Sequence, residues 1–429
     1  MEITSQMIIV LCILAFTIVM MIAHFVPYGV TAMTACALLA LTGVFDISTA
    51  FSGLCNSTTI IAATMYVIAS AIAKTNFMQR IGEKLQVVKE KGDWAVMLVL
   101  TLFTIIISQM MGQLPGIMIV LVLIRSIEGS SKISSGRMLF VVCMLSTVWC
   151  SKFPIAQGAT MPIIANSYIQ SMVEPDQLLG LWDICKAGVI PAIAATLWCL
   201  FAHRLLPDHD VDSEQVSDTQ KKGSIPKRDE YIILGVFLVV TVGFMASNVI
   251  GSNIANLLPT IGVLVMLFTK VITVKEALAS LTADLIWMIG GMQTLASAMS
   301  ATGVGDLIGN TVLKLLGSDP SPILVIAVFC IATTIITNLM ADWGTVSLML
   351  PIAASTAQVA GLNVATIAAV VTVSAWFAIA LPTGSTSTMV AYGTGNYNPF
   401  ETMKFTLPLV IICCASLIIS VPLLFPVFA

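Results

Sequence analysis

Apolar runs of about twenty residues, the length that crosses a bilayer core as helix, recur along nearly the whole of this 429-residue chain. In hydrocarbon every backbone polar group must find a partner within the protein, which leaves helices and closed barrels. Barrel strands alternate every second residue, and the chain has no such alternation. Composition agrees, with 58% hydrophobic and 10% charged residues, against roughly 25% charged in a soluble domain. Mean hydropathy is +1.00. So few charges cannot clothe a water-facing surface of this size. The expected fold class is all-α integral membrane.

Spans are expected at 3–25, 28–45, 57–75, 138–172 with a break, 187–206, 231–250, 254–270, 284–302, 363–395 with a break, and 403–427. The apolar stretches 94–127 and 321–358 are interrupted mid-way by polar residues and read as re-entrant hairpins. With ten crossings, two hairpins and both termini outside, all but three of the 19 Lys and Arg face the cytoplasm; the exceptions are Lys186, Lys314 and the intramembrane Lys152. That asymmetry is what the positive-inside rule demands of a cell-membrane protein. No basic residue precedes the first span, so no cleavable signal peptide is expected. The cysteines lie mostly in apolar spans and read as small packing residues. Residues 207–230, rich in Asp, Ser, Gln and Lys, read as a cytoplasmic linker.

The linker divides two halves that align with each other. Residues 104–124 match 333–352, pairing Ser108 with Thr337, Gln109 with Asn338 and Gln113 with Asp342. Residues 154–161 match 382–389, and amphipathic segments at 76–85 and 304–313 each follow the third crossing of their half. Five crossings per half is an odd number, so the repeat is inverted. Paired inverted halves can exchange inward- and outward-facing shapes, as secondary transporters require. Expected domains are 1–93 and 231–317 as scaffold, and 94–206 and 318–429 as transport domain.

Four apolar stretches break at polar spots: 108–116, 151–160, 337–345 and 382–388. Irregular backbone at membrane depth must be buried in protein or line a cavity. The helix N-termini it exposes suit anions, and its carbonyls suit Na⁺. The segment 382–388 offers five hydroxyls; with Thr337 and Asn338 it points to a cation site built from Thr383, Gly384, Ser385 and Ser387. A Ser/Thr-rich packing seam is the ordinary alternative. The first half is poorer in hydroxyls: Ser108, Gln109, Ser151, Gln157 and Thr160.

An intramembrane lysine costs about 3 kcal/mol at the bilayer centre, which makes Lys152 a functional candidate. It can serve as counter-charge for an oxyanion, as a built-in cation in place of Na⁺, or as a proton-coupling group. The ordinary alternatives are snorkelling to an interface or pairing with Asp342, the one acidic residue placed within a hairpin. Trp149, Trp343 and Trp376 flank the breaks and read as packing or interface residues.

The chain resembles the divalent anion:sodium symporter family of the wider ion-transporter superfamily. The resemblance runs along essentially the whole chain and is best at 333–352 and 376–410, which ends AYGTGNYNPFETMKFTLPLV. It implies a homodimer whose transport domains slide like elevators, carrying C4-dicarboxylates, citrate or sulfate with Na⁺. Carried over by resemblance, contacts to substrate and cation fall on Ser108, Gln109 and Met110, on Thr337, Asn338 and Leu339, and near Gly158 and Gly384; Thr160, Thr386 and Lys152 complete the substrate set. The family's tip triplet is Ser-Asn-Thr in both halves. Here it is Ser-Gln-Met and Thr-Asn-Leu, a loss of hydroxyls that points to a smaller or less charged anion.

The leading expectation is therefore an ion-coupled anion transporter, with Na⁺ or H⁺ as coupling ion and Lys152 and Asp342 as coupling candidates. The alternatives are a cation/proton antiporter of the same superfamily, or the membrane subunit of a binding-protein-dependent system. No nucleophile–histidine pair suggests an enzyme, no organic cofactor is expected, and neither the charge nor any motif points to nucleic acid.

Overall fold

The computed structural model describes residues 4–23, 25–72, 75, 93–110, 113, 116–117, 120–121, 123–124, 133–155, 157–170, 177–211, 226–246, 250–282, 284–316, 320–339, 342–395 and 397–428. Among them no strand forms, and a lone bridge joins Leu362 to Phe428. The described residues are helical nearly throughout.

In the first half, α1 (Ser5–Ala23), α2 (Tyr28–Leu41), the short α3 (Ile47–Ala50) and α4 (Ser57–Ile72) are followed by α5 (Asp93–Met110). The broken stretch then forms α6 (Ser135–Trp149) and α7 (Gln157–Ile169), and α8 (Asp183–Ala202) closes the half. In the second half, α9 (Lys227–Met245), α10 (Ser252–Phe268), α11 (Val274–Leu281), α12 (Asp284–Thr302) and α13 (Val304–Leu316) precede the hairpin arms α14 (Pro322–Leu339) and α15 (Asp342–Val359). The second broken stretch forms α16 (Val364–Ser374) and α17 (Thr386–Thr394), and α18 (Pro399–Leu424) ends the fold.

Both stretches expected to break do so, but the second interruption begins at Ala375, seven residues before the expected 382–388, and residues 386–388, like 157–160 of the first, are already helical; the span 284–302 coincides with α12. The amphipathic segment 304–313 is the start of α13, whereas 76–85 lies outside the described residues. Helix α11, unforeseen, lies between α10 and α12 in the chain and packs against α4. Among the described residues, three helical stretches are long and apolar enough to cross a membrane, Asp183–Leu205, Pro322–Leu339 and Pro399–Leu424. The shorter apolar helices run 10–17 residues, so helix length alone does not fix ten crossings. Breaking a stretch shortens each piece at 1.5 Å per residue.

Two sets of helices pack among themselves. Helices α1, α2, α4, α9, α10 and α12 form one; α5, α6, α8 and α14 to α18 form the other, and α4, α7, α12 and α15 meet between them. The tightest seam is α2 against α12. Gly29 donates its N–H to the Asp284 carboxylate at 2.8 Å. A Cβ on Gly291 would lie 2.7 Å from Ala32 Cβ and 2.8 Å from its carbonyl carbon. Small residues let backbones approach where no hydrophobic effect drives helices together. We expect Gly291→Val to overpack this seam by about 1–3 kcal/mol, read as a lower melting temperature in detergent; an unchanged melt contradicts the packing.

Candidate functional site

Each broken helix frees backbone groups that have no helical partner. At the first break, α6 stops at Trp149, Ser151 turns through φ 55°, and α7 starts at Gln157. Left-handed backbone on a residue with a Cβ is strained and persists only when its surroundings hold it. The holding group is Gln109, in the last turn of α5. Its Nε2 donates to the Trp149 carbonyl at 2.5 Å, and its Oε1 accepts from the Phe153 N–H at 3.0 Å. Trp149 stacks on Phe153 with ring centroids 6.1 Å apart, and donates Nε1–H to Thr196 of α8 at 2.8 Å.

The second break is held in the same manner by Asn338, in the last turn of α14. Its Nδ2 donates to the Phe377 carbonyl at 3.0 Å, and its Oδ1 accepts from the Ala380 N–H at 2.8 Å. Thr337 adds a hydroxyl bond to the Ala375 carbonyl at 2.6 Å. Thr383 donates back to the Asn338 carbonyl at 2.8 Å. Ser385 then caps α17 in a reciprocal capping box with Thr388, which meets two of the helix's free N–H groups.

Gln113, beyond the end of α5, reaches the starts of α15 and α17. Its Nε2 donates to Asp342 Oδ2 at 3.1 Å, and its Oε1 accepts from the Thr386 hydroxyl at 2.9 Å. Asp342 begins α15, where the helix dipole favours an anion, and its Oδ1 accepts from the Trp343 N–H at 3.0 Å. Thr147 of α6 touches Ser385 at 3.3 Å. These bonds join Gln113 to Asp342 and Thr386, Asn338 to Thr383, and Thr147 to Ser385.

Lys152 lies in the first break and is 1% exposed. Its Nζ sits 5.5 Å from the Trp376 ring centroid and has no hydrogen-bond partner in the protein. It neither snorkels nor pairs with Asp342. Trp376, from the second break, stands edge-on to Trp343 at 5.2 Å. Its place beside a buried ammonium was not readable from the sequence, because the two residues are 224 positions apart and only the fold brings the breaks together.

The remaining expected residues divide. Ser108 is buried and donates to the Ile105 carbonyl of its own helix at 2.9 Å, and Thr160 is buried on α7. Ser387 is buried with an unpartnered hydroxyl, whereas Thr383 and Thr386 are exposed. Gly158 opens α7 and Gly384 is buried behind the second tip. Leu339 is exposed. The side chains of Met110 and Gln157 lie outside the described residues.

This geometry can be set beside known proteins. The model of the citrate transporter family matches residues 12–375 and 249–428, which together span nearly the whole chain. The chain belongs to the citrate transporter family. That membership agrees with the ion-transporter resemblance of the sequence, and with a multi-pass membrane protein rather than an enzyme. A transporter of Synechocystis named sll0640 is 29% identical over 163 residues, which cover 38% of this chain and 26% of that protein. Chloroplastic dicarboxylate transporter 1 of Arabidopsis thaliana is 22% identical over 326 residues, covering 72% of this chain and 57% of that one. The chain thus matches less than two thirds of either relative's length. The YdaH transporter of Alcanivorax borkumensis shares the fold, with a TM-score of 0.60 at 11% identity over 90% of this chain and 87% of that one.

In this member of the citrate transporter family the tip amides hold the breaks open. We expect Gln109→Leu and Asn338→Leu each to orphan one part-buried N–H, of Phe153 and of Ala380, at about 1–3 kcal/mol, and to leave the Trp149 and Phe377 carbonyls with only their backbone donors, Lys152 and Ile379. Both variants should melt well below the wild type; melting curves that coincide with it contradict the clamp.

Proposed function

We propose that the protein is a secondary active transporter that moves a small carboxylate or related oxyanion across the cell membrane, coupled to Na⁺ or H⁺. The observation that carries this reading is the doubled clamp. Gln109 and Asn338, paired by sequence alignment, make equivalent bonds to two broken helices, and the two hairpins join at Gln113, Asp342 and Thr386. Gln113 and Asp342 are also partners in that alignment, and they touch each other. Two residues related by a two-fold axis meet in this way when they lie close to it. An inverted repeat with ten crossings and two re-entrant hairpins supplies such an axis in the membrane plane.

On this reading 94–206 and 318–429 move together as a transport domain against a scaffold of 1–93 and 231–317, in a homodimer. Both termini face outside. Lys152 offers the substrate its positive charge, with Ser108, Gln109, Gly158, Thr160, Thr337, Asn338 and Thr386 around it. The carbonyls and hydroxyls at Thr337, Asn338, Thr383, Gly384, Ser385, Ser387 and Ser108 suit a hard cation. Family membership and the name of the chloroplast dicarboxylate transporter support an anionic substrate.

Burial of Asp342 beside the hairpin junction also favours a second reading, a cation/proton antiporter in which Asp342 and Lys152 exchange protons. Proteoliposomes separate the two. The anion transporter accumulates a labelled carboxylate or sulfate only while a Na⁺ or H⁺ gradient is imposed, and shows counterflow. Proton flux driven by Na⁺ with no anion present supports the antiporter instead. No accumulation and no counterflow for any oxyanion refutes the proposal.

A further inference from the structure

We propose that Lys152 and Trp376 together bind one carboxylate group, and that this chain selects monocarboxylates over di- and tricarboxylates. The inference rests on the transporter reading above. Two polar atoms in adjoining side chains carry it. The Lys152 ammonium has three N–H donors, and none finds an acceptor in the protein. The Trp376 indole Nε1–H, on a side chain 1% exposed, likewise finds no well-aligned acceptor, its neighbour being the weakly accepting Cys150 thiol. Buried donors are ordinarily satisfied, and a buried charge stripped of partners costs several kcal/mol. Here two such donors lie together, Nζ over the ring at 5.5 Å from its centroid. One comes from each broken helix. A carboxylate has two oxygens, one to accept from the ammonium at about 2.8 Å and one from the neutral indole N–H, so a single group serves both.

The count of charges sets the specificity. Among the described residues, Lys152 is the only buried Lys or Arg. The neighbouring buried acid, Asp342, is 9% exposed and already accepts from Gln113 and from its own helix N-terminus. Its helix carries Trp343, whose ring abuts Trp376. One carboxylate therefore finds a cation, and a second finds no further cation and a like charge nearby, which is repulsive. The Trp376–Trp343 pair gives the rest of the molecule an apolar wall.

The lysine's position is set by α8. A Cβ on Gly188 would lie 2.5 Å from Lys152 Cδ and 3.0 Å from Cε. Gly188→Ala therefore pushes on the end of a flexible side chain rather than on backbone, and moves the ammonium without removing it.

The test is binding and uptake of propionate, lactate, succinate, citrate and sulfate, each with and without Na⁺, by the purified full chain. Binding is read as thermal stabilisation and uptake in proteoliposomes. The expected result is that propionate or lactate stabilises the protein at lower concentration than succinate or citrate. Trp376→Phe keeps the ring but loses the N–H, and weakens that binding about tenfold; Lys152→Met weakens it further. Should Lys152→Met fail to fold, Gly188→Ala supplies the comparison, with weakened monocarboxylate binding at an unchanged apo melting temperature. Tighter binding of succinate, citrate or sulfate, or unaltered binding in Trp376→Phe and Gly188→Ala, overturns the inference while leaving an anion transporter. Monocarboxylate binding without gradient-driven flux upholds the site and overturns the transporter reading. No binding or flux of any anion overturns both.

Discussion

The structure depends on one constraint: backbone released from a helix at membrane depth must be hydrogen-bonded by something else. Two broken helices meet it with one device, a side-chain amide that offers a donor to a carbonyl at or just past the helix end and an acceptor to an amide three or four residues later. Gln and Asn suit this because each carries both functions on one planar group. The hairpins are thus the supports of the breaks as well as walls beside them. Side-chain bonds from Gln109 and Asn338 thus fasten each break to the helix that precedes it.

Charge follows from the same arrangement. The second half uses hydroxyls and carbonyls around its break, a neutral set that suits a small hard cation. The first half places Lys152 at the corresponding point and keeps fewer hydroxyls. Two frames of one design therefore hold unlike chemistry. The ammonium lies over an indole ring rather than against a carboxylate. A cation–π contact is worth about 0.5–2 kcal/mol, too little to compensate a buried charge.

Much of this was legible in the sequence, because the signals are local. Twenty-residue apolar runs mark the helices, and Pro, Gly and hydroxyl clusters at 151–160 and 382–388 mark the breaks. The alignment of 104–124 with 333–352 correctly equated Gln109 with Asn338, although their shared task is visible only in three dimensions. Contacts across long separations were not legible. Gln113 reaching Thr386, Trp376 lying under Lys152, and Gly188 making room for the lysine stem each join segments that no periodicity relates. Trp376 read as packing because an aromatic in an apolar run nearly always is. Helix α11 escaped notice because eight residues between two long spans look like a loop.

The most direct test of the account is to locate the anion. A structure of the full chain with a bromine-substituted monocarboxylate, located by its anomalous scattering, should place the carboxylate within hydrogen-bonding reach of both Lys152 Nζ and Trp376 Nε1, between the two clamped breaks. Bromine density elsewhere, or a carboxylate that leaves both donors unengaged, would contradict it.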